Sequence, residues 1–282
     1  MVQAITGIDH VVILVRDLDA ARSTFQRLGF QTSPRGVHSD HIGTHNHTIM
    51  LEDDYFEVLA VRTPTDLNAR WREALERREG VHIIALRTPD AAAAAAELRA
   101  RGVPAGEPVR FSRPVDTPAG PPVEAGFVVA FIPAEATPAA NMFACQHLTP
   151  ELVWLPELRE HPNTAERLES VTVVVDDPAA VAEPYAALFG AGNVSAIGGM
   201  VTVTTGNTPI RFVTPAGLAA RYPGVDLAGV APPAIVALGI RVRDLPAARV
   251  CLDDSGIVPA QLSGGVCVAP EDACGVLVEF RV

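Results

Sequence analysis

Apolar residues recur along this chain in short β-branched runs, each followed by a polar break and then by apolar positions at helical spacing. In "GIDHVVILVRDLDAARSTFQRLGF", which begins at Gly7, the run Ile8 to Val15 predicts a strand. Strict alternation puts His10 on the same face as Ile8, Val12 and Leu14, an imidazole among aliphatics. Asp17 stands where it can cap a helix with apolar positions Leu18, Ala21, Phe25 and Leu28, and Gly29 stops it.

The same outline recurs. "GVHIIALRTPDAAAAAAELRARGV" repeats it with His82 where His10 stood, and "ESVTVVVDDPAAVAEPYAALFG" and "VALGIRVRDLPAARVCLDDSGI" repeat it more weakly, with Ser170 and Ala237 at the histidine positions. Each helix is followed by further strand-like runs: "HTIMLEDDYFEVLAV" in the first copy, "EAGFVVAFI" and "NMFACQHL" in the second, "MVTVTT" and "PIRFVT" in the third, "GVCVAP" and "GVLVEFRV" in the fourth. The pattern predicts an α+β chain of four βαβββ modules. "PVDTPAGPPVEAG" and "PAEATPAA" read as long surface loops of the second copy. "LTPELVWLPELREHPNTAER" fits no copy and reads as a connector, giving a first domain over 1–150, a connector over 151–166 and a second domain over 167–282.

Composition narrows the partners. With 282 residues and 48% hydrophobic content the chain can bury a full core. A net charge of -11 argues against nucleic acid or an anionic membrane, so small molecules are the expected partners. No signal-like start and no apolar run of bilayer length is present, which gives a cytoplasmic expectation. The four cysteines form no CxxC pair and suit reduced, buried thiols.

Paired βαβββ units, with a histidine in the first strand of a unit and a carboxylate in its last, resemble the vicinal oxygen chelate superfamily of glyoxalases, extradiol dioxygenases and antibiotic-binding resistance proteins. The "GIDHVVILVRDLDAARSTF" start, the "GTHNH" stretch and the "YFEVLAV" strand are most similar to its glyoxalase-like domain proteins. The resemblance implies two cupped mixed sheets, each made from a pair of modules. It also implies a divalent metal ion (Fe, Mn, Ni, Co or Zn) held by His10, Glu57, His82 and Gln146. A carboxylate alone in an apolar strand, as Glu57 is, would be costly to bury without a partner such as a metal or an arginine. Two histidines and a carboxylate suit a transition metal with open positions.

The fourth position departs from the usual glutamate: it is Gln146 in the reading that aligns "MFACQHLTP" with "YFEV", or His147 if the register slips by one. All eight histidines precede the third unit, so the second half, with Ser170, Arg211, Ala237 and Glu279 at the corresponding places, reads as degenerate. In the polar run "GVHSDHIGTHNHTIML", Thr44 and Asn46 are candidates for substrate contact, and His45 for acid–base work beside Gln146. Trp154 is placed to cover the cup, either as part of a lid or as an apolar anchor for the connector. The resulting expectation is a glyoxalase-like lyase, isomerase or oxygenase acting on a small oxygen-bearing substrate, compatible with a homodimer. An extradiol ring-cleaving dioxygenase and a metal-free binding protein are the alternatives.

Overall fold

The computed structural model describes residues 3–117, 120–227 and 229–282. Strands β1 (Gly7–Val15), β2 (Gly36–Val37), β3 (Thr44–Met50), β4 (Tyr55–Val61), β5 (Gly80–Arg87), β6 (Val109–Thr117), β7 (Gly120–Ile132) and β8 (Asn141–His147) form one mixed sheet in the order 2-3-4-1-5-8-7-6. Strands β9 (Ala165–Val174), β10 (Val194–Ile197), β11 (Met200–Val203), β12 (Ile210–Val213), β13 (Ala234–Val242), β14 (Ala260–Leu262), β15 (Gly265–Val268) and β16 (Leu277–Arg281) form a second in the corresponding order. Within each module the first and last strands pair in parallel, and β1 with β5, like β9 with β13, joins two modules antiparallel. The fold is the predicted one: α+β, four βαβββ modules, two sheets.

Helices α1 (Leu18–Arg27), α3 (Ala91–Ala100), α4 (Ala182–Phe189) and α6 (Leu245–Asp254) follow the first strand of each module. Asp17, Asp90 and Asp244 accept hydrogen bonds from first-turn amides of α1, α3 and α6, so each helix starts where its strand ends. Two helices lie outside the repeat, α2 (Ala69–Arg77) and α5 (Pro215–Arg221). The Pro-rich stretch predicted as a loop is instead largely the β6–β7 hairpin, with Pro114 on the edge strand β6, where a proline is tolerated. The tip of that hairpin, 118–119, lies outside the described residues. "PAEATPAA" does form a loop.

The helix-side faces of both sheets share one apolar core that includes Ile8, Phe25, Phe56, Ile84, Val171, Phe212 and Phe280, and Phe30 stacks on Phe280 across the junction at 5.7 Å. On its other face the first sheet curls until edge strands β2 and β6 meet, making a cup. One part of the cup is filled by Val12, Leu14, Leu59 and Ile83 under Ala74 and Leu75 of α2. Another is filled by Tyr55, Phe127 and Cys145 under Val153, Trp154 and Leu158 from the segment after β8.

The second sheet's concave face carries Glu279, fully buried, where it accepts hydrogen bonds from Arg281, from Arg221 at 3.3 Å and from the Tyr222 hydroxyl at 3.2 Å. Glu279 thus forms its ion pairs in the interior and not at the surface. Glu279→Gln should leave metal content unchanged and lower stability by about 3 kcal/mol, since it strands two guanidinium groups at a buried acceptor. A urea melt beside metal analysis checks both outcomes.

Candidate functional site

A β-bulge decides what the cup holds. Ile8 pairs with Leu86 and His10 with Ala85, so Asp9 is an extra residue in β1. The alternation breaks there: Ile8 turns into the helix-side core, not onto the His10 face as strict parity predicts. Asp9 is buried beside His10, and its Oδ1 lies 2.7 Å from His10 Nδ1 and 3.0 Å from His147 Nε2. Burial opposes ionisation of Asp9, but the hydrogen bonds to His10 and His147 outweigh it and hold the carboxyl well below the usual carboxylate range. Arg87 Nε lies 3.8 Å from its second oxygen.

With Nδ1 held by Asp9, His10 directs Nε2 toward Glu57 Oε2 at 4.0 Å. His10 stacks on Tyr55 at 4.4 Å and meets Phe143 edge-on at 5.8 Å. Glu57 Oε1 accepts a hydrogen bond from Asn46 Nδ2, and no arginine lies within ion-pairing distance of Glu57 among the described residues. A β-carbon on Gly36 would collide with Asn46 Oδ1, so the bare backbone there leaves room for the Asn46 amide, with Arg113 close by. Thr44, fully buried, shares a 2.8 Å hydrogen bond with His38 Nδ1. His38 is pushed below its ordinary value by burial, with the Glu57 charge acting in the opposite sense and Arg113 in the same sense as burial.

Of the residues expected at the site, His10, Glu57, Thr44, Asn46 and Trp154 lie on or over the cup, and three do not face it. Gln146 points to the helix side and its Oε1 accepts from Ala91 N–H at the start of α3, 3.1 Å away. Alternation therefore presents His147 together with Phe143 and Cys145. His82 sits at a second bulge, in β5, with Nε2 3.3 Å from the Arg78 carbonyl. Counting back from the capping residues Asp17 and Asp90 explains this: His10 is seven residues before the first, and the residue seven before the second is Ile83. Ile83 pairs with Asn141 as His10 pairs with Tyr55, so Phe143 holds the place of Glu57 in the second module. His45 lies on the opposite face of β3 from Thr44 and Asn46, where burial and then Arg35 push its pKa down.

Asp9, Tyr55, Cys145 and His38 join the site without having been singled out from the sequence. The donor atoms of Asp9, His10, Cys145 and His147 all lie within 4.8 Å of one another. Burial, then the charges of Asp9 and Glu57, push the Cys145 thiol up, which keeps it protonated and a weak donor at neutral pH. Trp154 packs edge-on to Tyr55 at 5.6 Å and to His147 at 4.8 Å. Trp154 Nε1 and His147 Nδ1 are both buried without a hydrogen-bond partner, so two polar atoms at the covered end of the cup are left for something else to satisfy.

These residues fit a divalent ion at an open site. An imidazole nitrogen and a carboxylate face each other in the cup, and a second carboxylate sits behind the imidazole, the usual support for a metal-binding histidine.

The glyoxalase-like domain family matches residues 8–189, from β1 through α4. The chain belongs to that family. Its fold is that of the vicinal oxygen chelate superfamily. A hypothetical protein from Staphylococcus aureus superposes with a TM-score of 0.69 at 14% identity, over 97% of this chain and 98% of that one. A mutant of 4-hydroxymandelate synthase from Streptomyces coelicolor superposes with a TM-score of 0.59 at 16% identity, over 99% and 92%. No match was found among curated proteins. Among the described residues no helix is long and apolar enough to cross a membrane.

Proposed function

We propose that this glyoxalase-like chain is a cytoplasmic, metal-dependent enzyme of the lyase, isomerase or oxygenase type, acting on a small oxygen-bearing compound in the cup of the first sheet. In this reading 1–150 is the working domain, 151–166 a connector that lays Trp154 over the cup, and 167–282 a degenerate second domain. His10 and Glu57 would hold the ion, which when bound would supply positive charge to substrate oxygens on which negative charge develops. Asp9 fixes the imidazole so that its Nε2 faces the cup, and Asn46 fixes the Glu57 carboxylate. His147, whose Nε2 is bound to Asp9, keeps Nδ1 free to exchange a proton with a substrate hydroxyl, and the Trp154 indole N–H is free to orient an oxygen.

The observation that carries the reading is the Asp9–His10 pair aimed at Glu57, a carboxylate with no arginine to neutralise it. Chain purified without a tag and reconstituted with iron, manganese, nickel, cobalt or zinc should retain one equivalent of at least one metal by mass spectrometry, and Glu57→Gln should retain about tenfold less or lower still. Oxygen uptake with catechols would assign the extradiol alternative. Wild type that takes up none of the five metals at micromolar concentration removes the metal enzyme. The metal-free binding protein would then lead, since Asp9 already joins His10 and His147 in a closed hydrogen-bonded set.

A further inference from the structure

Away from the cup, a cavity of about 440 Å³ opens where the end of α2, the β7–β8 loop and the segment leading into β13 meet. The ionisable residues in its wall are Arg77, Arg78 and His82, with no acidic side chain among its lining residues. In a chain of net charge -11 this is a local inversion of sign. The charges acting on His82 tell the same story: burial and then the guanidinium groups of Arg78 and Arg77 push it down to about 4, and no carboxylate acts against them.

The two arginines divide the work. Arg78 donates to the carbonyls of Glu79 at 3.1 Å, Val81 at 2.7 Å and Ile235 at 3.3 Å, which ties the wall from the first half to the wall from the second. The cavity is thus braced before anything enters it. Arg77, in the last turn of α2, is exposed and has no ion pair or side-chain hydrogen bond among the described residues. Small apolar residues, Ala134, Ala139, Ala140, Ala231, Pro232 and Pro233, make up much of the remaining wall, with Thr137 and Asn141 among them.

We infer that this cavity binds a small organic anion, a carboxylate or phosphate ester on an apolar body, with the anionic group at Arg77 and the body against the alanine and proline wall. A volume of this size lies in the range of small-ligand pockets and far exceeds a bare inorganic ion. Because the walls come from both halves, the ligand binds only the assembled chain and stabilises it. The site is separate from the cup and does not rest on the metal reading.

Calorimetric titration of the full chain with phenyl phosphate, benzoate and neutral benzyl alcohol tests it. At least one anion should bind saturably, about tenfold or more tighter than the alcohol. The tighter anion names the class, phosphate ester or carboxylate. Arg77→Glu, at an exposed position, and Ala231→Trp, which narrows the mouth from an exposed position, should each weaken binding about tenfold or more, while His10→Ala should bind as wild type does. No saturable binding by either anion at about 10 mM, equal binding of the alcohol, or wild-type binding by both cavity variants would overturn the proposal. Loss of binding in His10→Ala would overturn it as well, by placing the probe in the cup.

Discussion

Replacing His10 by alanine is expected to lower metal affinity at least about 100-fold while the chain stays folded. The nitrogen lost is the one that faces Glu57, and no other imidazole lies within ion-pairing distance of that carboxylate among the described residues. The fold survives because Val12 and Leu14 on the same face remain packed under α2. Some stability goes with the ring: Asp9 loses one of its two imidazole partners and Tyr55 its stacking neighbour, a cost of about 1–3 kcal/mol. A thermal melt run beside metal analysis separates the two effects. His82→Ala is the control, because its imidazole lies outside the cup and its loss should leave metal content at the wild-type value. Metal retained by His10→Ala would make the imidazole structural; metal lost from His82→Ala would mean that the second module contributes after all.

The contrast between these two histidines shows what was legible in the sequence. The four modules were readable because each combines a two-residue period with a helical one and marks the switch with a capping aspartate, signals that are local. Bulges are not local in that sense. An extra residue at Asp9 reverses the parity of everything before it, so alternation from Ile8 assigned the wrong companion to His10 and overlooked Asp9 itself. His82 looked equivalent to His10 because both follow a glycine, yet the distance to the helix cap, the more rigid reference, sets Ile83 there. For Gln146 and His147 alternation correctly allowed only one to face the cup, and the companions Phe143 and Cys145 decide for His147. The contribution of Asp54 was hidden for another reason. Its environment is made by β9, more than a hundred residues away.

Asp54→Asn is expected to stabilise the chain at pH 8 by an amount on the order of 4 kcal/mol and to change little near pH 4. Asp54 is buried in the turn between β3 and β4, where its Oδ1 accepts the Leu168 N–H of β9 at 2.9 Å. Burial raises its carboxyl from 3.8 to about 7, against the Leu168 hydrogen bond and the Arg87 charge, which lower it, and with Asp53 and Asp9, which raise it further. The folded chain therefore binds this proton more tightly than the unfolded one. The stability that the protonated form contributes is fully present below 3.8, declines as pH rises, and is gone above about 7. Carrying the ionised carboxylate in that place then costs on the order of 4 kcal/mol. Asparagine keeps an oxygen for the Leu168 N–H and carries no charge, so its stability should lack this pH dependence. Urea unfolding of both proteins from pH 4 to pH 8 reads the effect as the difference between the two curves, which cancels every other titrating group. Curves that stay parallel across that range would show that Asp54 ionises in the folded chain as it does in the unfolded one, and that the turn between β3 and β4 carries no such cost.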